Sequence, residues 1–135
     1  MLTKGIIFED FVNYKVPCMT IEMPFCDFKC DKEYGESICQ NCELASSPLY
    51  NYNDDVIIQK YCDNRITRAI CFQGLEPFDT FEDMYDFIFK FRNCFSRDDE
   101  IVIYTGYNKE EIKDQLDQLK QFSNIIIKFG RYIPM

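Results

Sequence analysis

No histidine occurs anywhere in the 135 residues. That absence removes Ser-His-Asp and Cys-His nucleophilic catalysis, histidine-bearing zinc sites and the 2-His-1-carboxylate iron triad. Long apolar runs are missing too, since nothing approaches the roughly 20 residues of a membrane span. The opening Met1-Leu2-Thr3-Lys4-Gly5 has neither the apolar segment nor the small-residue cleavage site of a signal peptide, so a cytoplasmic chain is expected. Basic residues are in the minority. There are 15 Lys and Arg against 23 Asp and Glu, a net charge of −8, which argues against a nucleic-acid backbone or an anionic membrane as partner. No internal repeat and no low-complexity linker divides the chain, so residues 1–135 are expected to form a single domain.

Apolar and aromatic residues are plentiful, at 47% and 16% with 13 Phe and 9 Tyr, enough to fill a core. Eight cysteines stand out: Cys18, Cys26, Cys30, Cys39, Cys42, Cys62, Cys71 and Cys94. In a reducing compartment a cluster of thiols reads as metal ligands, whereas isolated thiols read as small core hydrophobes. Cys26, Cys30, Cys39 and Cys42 fall close together; the other four are scattered through apolar segments. Cys18 and Cys71 are expected in the core, and Cys62 and Cys94 as bystanders near helix ends.

The pattern predicts a strand over Val16–Met23, then a long irregular polar segment to about Asn53 that carries the clustered cysteines. Asn53 or Asp54 caps a helix to about Asp63. Ala69–Phe72 reads as a buried strand. Thr80-Phe81-Glu82-Asp83 resembles a capping box for a helix with Phe81, Met84, Tyr85, Ile88 and Phe91 at helical spacing. Ile101–Tyr104 is a third strand. Asn108 with Glu111 opens a third helix, with Ile112, Leu116 and Leu119 on one face, and Ile125–Ile127 is a fourth strand. Strands alternating with amphipathic helices imply an α/β fold with a mostly parallel sheet of about four strands and right-handed crossovers. In such sheets ligands sit at the carboxyl ends of the strands. The cysteine segment, Gly74-Leu75-Glu76-Pro77 and Thr105-Gly106-Tyr107 all fall there.

On spacing alone, Cys26-x3-Cys30 with Cys39-x2-Cys42 also suits a structural zinc site of four thiolates in an interaction module. Glu76 could be a solvated loop carboxylate and Thr105-Gly106 a plain strand-to-helix turn. Zinc, however, leaves Glu76-Pro77 and Tyr104-Thr105-Gly106-Tyr107 unexplained.

The segments Pro24-Phe25-Cys26-Asp27-Phe28-Lys29-Cys30, Ser37-Ile38-Cys39-Gln40-Asn41 and Gly74-Leu75-Glu76-Pro77 resemble the cluster loop and GGEP motif of radical S-adenosylmethionine enzymes. The resemblance narrows to the small activating proteins of anaerobic ribonucleoside-triphosphate reductase. Tyr104-Thr105-Gly106-Tyr107 is similar to that family's strand-end YTGY, and Phe129-Gly130-Arg131-Tyr132-Ile133 to the segment after its next strand. The similarity spans roughly residues 5 to 135. Two features depart from the family pattern: the spacing is lengthened to Cys-x3-Cys-x8-Cys, and Leu75 replaces the second Gly of GGEP.

The resemblance implies a partial (βα) barrel of the radical S-adenosylmethionine type. Cys26, Cys30 and Cys39 would ligate a [4Fe–4S] cluster, with Cys42 a bystander, leaving one iron open to S-adenosylmethionine. Gly74 and Glu76 would receive the methionine amino end. Ile38 would lie beside the adenine, Gln40 would be a further cofactor contact, and Thr105 would donate a hydroxyl toward the ribose or adenine. The implied activity is installation of a glycyl radical on the large reductase subunit, with a flavodoxin-like or ferredoxin-like electron donor. The family usually continues with a further polar, Asn-containing segment. A rival within the same chemistry modifies a small molecule, as 7-carboxy-7-deazaguanine synthases do.

Overall fold

The β-branched and aromatic runs at Cys18–Met23, Ala69–Gly74, Glu100–Thr105 and Ile125–Phe129 form the strands of a computed structural model that describes residues 1–24 and 49–130. In chain order the elements are β1 (Leu2–Thr3), β2 (Gly5–Asp10), β3 (Cys18–Met23), β4 (Tyr50–Asn51), α1 (Asp54–Asp63) and β5 (Ala69–Gly74). A 3-10 turn (Pro77–Thr80) then leads into α2 (Phe81–Phe89), which continues through a π turn (Lys90–Cys94) to β6 (Glu100–Thr105). A second 3-10 turn (Lys109–Ile112), α3 (Lys113–Leu119) and β7 (Ile125–Phe129) complete the order.

The main sheet runs β2-β3-β5-β6-β7. The pairs β3–β5, β5–β6 and β6–β7 are parallel and β2–β3 is antiparallel. The mixed α/β fold with a mostly parallel sheet agrees with the sequence reading, but the strand number needs correction from about four to five. The additional strand is Gly5–Asp10, where Ile6 and Ile7 stand side by side and hide the period of two. In the fold Ile6 and Phe8 pack against the main core while Ile7 is exposed, the pattern of a half-buried edge strand.

Each parallel connection steps one strand over in the same direction, so right-handed crossovers place all three helices on one face. There Met19, Ile21, Met23, Ile70, Phe72, Ile101 and Ile103 meet Ile57, Ile58 and Tyr61 of α1, Met84, Phe87 and Ile88 of α2, and Leu119 of α3. Full burial of each large side chain contributes about 1.5–3 kcal/mol. The opposite face carries a smaller cluster, Cys18, Ala69, Cys71 and Val102, covered by Tyr14 and Val16 of the β2–β3 connection. Asp10 holds that connection in place. Its carboxylate accepts from the Val12 N–H at 2.9 Å, the Asn13 N–H at 3.2 Å and the Thr20 hydroxyl at 2.5 Å.

Helix starts follow two routes. Asn53 caps α1, accepting from the Asp55 and Val56 N–H groups, and Asn108 with Glu111 forms a reciprocal capping box. The expected box at Thr80 is absent. Glu76 accepts from the Phe78 N–H with Pro77 next in line, so the helical path begins four residues earlier. The Thr80 hydroxyl is buried without a hydrogen-bond partner among the described residues. No helix among the described residues is long and apolar enough to cross a membrane.

Candidate functional site

β3 ends at Met23, and Pro24 leads into the cysteine segment. Cys26, Cys30, Ile38, Cys39, Gln40 and Cys42 lie outside the described residues. Both ends of that segment are fastened to the same few residues. On the departing side the Lys4 N–H donates to the Glu22 carbonyl at 2.8 Å, and the buried Thr3 hydroxyl stands 2.6 Å from that same oxygen. On the returning side β4 pairs antiparallel with β1, Leu2 facing Asn51 and Thr3 facing Tyr50, and the Tyr52 N–H donates to the Met1 carbonyl at 3.0 Å. β1 therefore spans the two stems of the cysteine segment.

The carboxyl ends of the parallel strands are joined by a continuous series of hydrogen bonds. The Leu75 N–H donates to the Met23 carbonyl at 3.2 Å, hooking the turn after β5 over the end of β3. Gly74 takes a φ of +96° there, and a Cβ on it would meet Met23 N at 2.7 Å and Glu22 Cα at 2.9 Å. Its missing side chain is thus used against the β3 backbone. On the other side, Glu76 reaches β6. Its Oε2 accepts from the Thr105 hydroxyl at 2.8 Å and the Phe78 N–H at 3.1 Å, and its Oε1 accepts from the Gly106 N–H at 2.8 Å. The Gly130 N–H donates to the Thr105 carbonyl at 3.0 Å and brings in the end of β7.

Glu76 is only 5% exposed, so it is not a solvated loop carboxylate. Burial pushes its carboxyl above the ordinary carboxylate range, against the opposing pull of Gly106, Phe78 and Thr105. Thr105 is buried as well. Its hydroxyl accepts from the Tyr107 N–H at 3.1 Å and donates its single proton to Glu76. Glu76 and Thr105 are in direct contact, while Gly74 packs against the Glu22–Met23 backbone at the end of β3.

The sequence reading passed over a polar row on the helix-free face. One position before the last residue of each strand, Glu22 faces Gln73 across β3–β5, and Tyr104 faces Lys128 across β6–β7. The Tyr104 hydroxyl donates to the Asn13 carbonyl at 2.6 Å. Burial, with Asp10 nearby, holds the Glu22 carboxyl up. The common register position is the signal that would have found this row.

The described cysteines do not gather at the carboxyl rim: two adjoin in the core and two stand apart on helix ends. Cys18 of β3 and Cys71 of β5 are fully buried in the small cluster on the helix-free face, and contact with Cys18 together with burial pushes the Cys71 thiol up. Cys62 is half-buried on α1 and Cys94 is exposed after α2. Among the described residues no three acidic or thiol side chains converge on a metal position.

Residues 18–133 match the family described as the 4Fe-4S single cluster domain. The chain belongs to this family. The match begins at the first residue of β3 and runs beyond β7, so the parallel sheet, the cysteine segment and both rim turns lie inside the 4Fe-4S single cluster domain. A cluster of this type is held by thiolates, a donor set that suits a chain rich in cysteine and without histidine. No curated protein matches the chain, and no solved structure does.

Proposed function

We propose that the chain is a radical S-adenosylmethionine activating protein whose [4Fe–4S] cluster is held by Cys26, Cys30 and Cys39. One observation carries this reading: the Gly74–Pro77 turn is bonded both to Met23, where the cysteine segment departs, and to Thr105-Gly106 at the end of β6. A cofactor at the carboxyl rim would thereby meet two linked strand-end turns next to the end of β3, from which the cysteine segment departs. The donor chemistry fits. No three of the four described thiols come together, so on this reading the Cys26–Cys42 group supplies the ligands for the family's cluster. Three thiolates, with Cys42 a bystander, leave one iron for the amino and carboxylate groups of S-adenosylmethionine.

A cluster held by Cys26, Cys30 and Cys39 would, when reduced, supply the one electron for reductive cleavage of S-adenosylmethionine. The residues of the chain bind, orient and shield. Gly74 and Leu75 shape the turn beside the cysteine segment. Glu22, Gln73 and Lys128 offer polar groups on the face that no helix covers. On this reading the target is a glycine of the large subunit of an anaerobic ribonucleoside-triphosphate reductase. A docked partner closes the exposed side of the site, and a flavodoxin-like or ferredoxin-like protein donates the electron.

The test is anaerobic. Reconstituted protein should carry about four irons per chain. With reductant, S-adenosylmethionine and an anaerobic reductase, it should generate a glycyl radical signal in paramagnetic resonance in step with 5′-deoxyadenosine. Fast, specific turnover of a small molecule without the reductase would make it a metabolite-modifying enzyme of the 7-carboxy-7-deazaguanine synthase kind. Stoichiometric zinc in place of iron would end both readings.

A further inference from the structure

A carboxylate at a strand-end turn invites assignment as a ligand for a cationic group, but Glu76 is turned away from that task. Its two oxygens accept from three donors of the chain itself: the Thr105 hydroxyl, the Phe78 N–H and the Gly106 N–H, at 2.8, 3.1 and 2.8 Å. Two of the three lie some thirty residues away, on the turn after the neighbouring strand. The same residue caps the 3-10 turn Pro77–Thr80. One buried side chain thus fixes the start of α2 and the end of β6 relative to the turn after β5. We propose that Glu76 is a positioning residue: it sets the Thr105-Gly106 turn against the Gly74–Pro77 turn, and a ligand at the carboxyl rim feels Glu76 only through that turn.

The chemistry of the contacts makes this role specific to a carboxylate. Each oxygen faces a backbone N–H, so an amide in either orientation would point its NH₂ group at one of them. Asp, shorter by one methylene, cannot span from the Pro77 turn to β6. Gln is therefore not a neutral replacement here, although it would preserve much of a surface contact. The Thr105 hydroxyl also accepts from the Tyr107 N–H, so a Thr105 side chain no longer held by Glu76 passes its added freedom to the start of that turn.

Hydrogen–deuterium exchange on the cluster-loaded protein tests the tie directly. Glu76→Gln should raise exchange in peptides spanning 104–108 by about tenfold, while Val102 and Ile103 within β6 keep their protection. An unchanged rate at Gly106 overturns the proposal. Thr105→Val removes one donor and leaves Glu76 in place, so it should raise the same peptide's exchange by a smaller factor even if Glu76→Gln fails to accumulate. The ligand arm rests on the function proposed above. S-adenosylmethionine affinity, followed by the resonance of the reduced cluster, should fall about tenfold in Glu76→Gln. Thr105→Val should also lower it, the double variant should be no weaker than Glu76→Gln, and Thr105→Ser should restore the original value. Additive losses would make Glu76 a direct ligand and sink the proposal. If the unmodified protein binds no S-adenosylmethionine, the functional reading falls while the exchange result still decides the tie.

Discussion

Gly74 lies so close to Met23 that a Cβ on it would stand 2.7 Å from the Met23 backbone nitrogen, at a φ of +96°. Two penalties coincide for any other residue: a left-handed backbone conformation and contact with main chain that cannot swing aside. Gly74→Ala should therefore lower stability by at least about 2 kcal/mol, read as a shift in the urea midpoint of the anaerobic protein. A midpoint equal to that of the unmodified chain would show that the turn can relax away from β3.

Thr3 holds the other connection to the end of β3. Its fully buried hydroxyl stands 2.6 Å from the Glu22 carbonyl and 2.8 Å from the Gly5 carbonyl, and accepts from the Gly5 N–H at 3.0 Å. Thr3→Val keeps the shape and deletes every one of these bonds. The expected cost is about 1–3 kcal/mol, because buried carbonyl and N–H groups lose a partner. Since β1 also pairs with β4, iron should pass to a chelator faster in the variant than in the unmodified protein. Equal release rates would separate β1 from retention of the cluster.

The parallel strands can be read from the sequence because their apolar runs are bounded by polar turns, and the helices because Asn53 and Asn108 announce their own starts. Long-range polar contacts leave no such local trace. Thr80-Phe81-Glu82-Asp83 has the letters of a capping box, but Pro77 and the Glu76 carboxylate begin the helical path first. Nothing in Gly74-Leu75-Glu76-Pro77 says that the carboxylate closes on Thr105 and Gly106. Arg92 is similar. Its guanidinium gathers the carbonyls of Arg97, Asp99 and Ser123 at the amino ends of the strands, a role that helical spacing cannot reveal.

Asp99 provides a pH test of the opposite end of the sheet. Burial alone would raise its carboxyl, but the Arg97 guanidinium at 2.9 Å and the Tyr61 hydroxyl at 2.6 Å hold it below the ordinary value of 3.8. A carboxylate depressed in the folded state contributes stability that is fully present above its unfolded value and is lost as pH falls through the folded one. Asp99→Asn should therefore be less stable than the unmodified chain at neutral pH, and the gap should close below about pH 3.8. Stability measured against pH with the iron-free protein keeps cluster loss out of the comparison. A gap that stays constant down to pH 2 would remove Asp99 ionisation as its cause.

The ligand assignment makes the sharpest distinction between neighbouring residues. Cys39 is followed by Gln40-Asn41, and Cys42 comes immediately after, so the two thiols differ by only three positions in sequence. A closed tetrad of thiolates would leave no iron accessible to a substrate, whereas three thiolates leave one. If Cys26, Cys30 and Cys39 are the ligands, each single Ser substitution should strip most of the iron and end cleavage of S-adenosylmethionine. Cys42→Ser should keep about four irons and the characteristic change in resonance when S-adenosylmethionine is added. Cys18→Ser and Cys71→Ser serve as controls with a different signature. Both thiols are sealed in the cluster under Tyr14 and Val16, so their replacement should lower stability while the folded fraction still loads iron. A Cys42→Ser protein that cannot hold a cluster would transfer the fourth ligand to Cys42 and close the iron that the proposed chemistry requires.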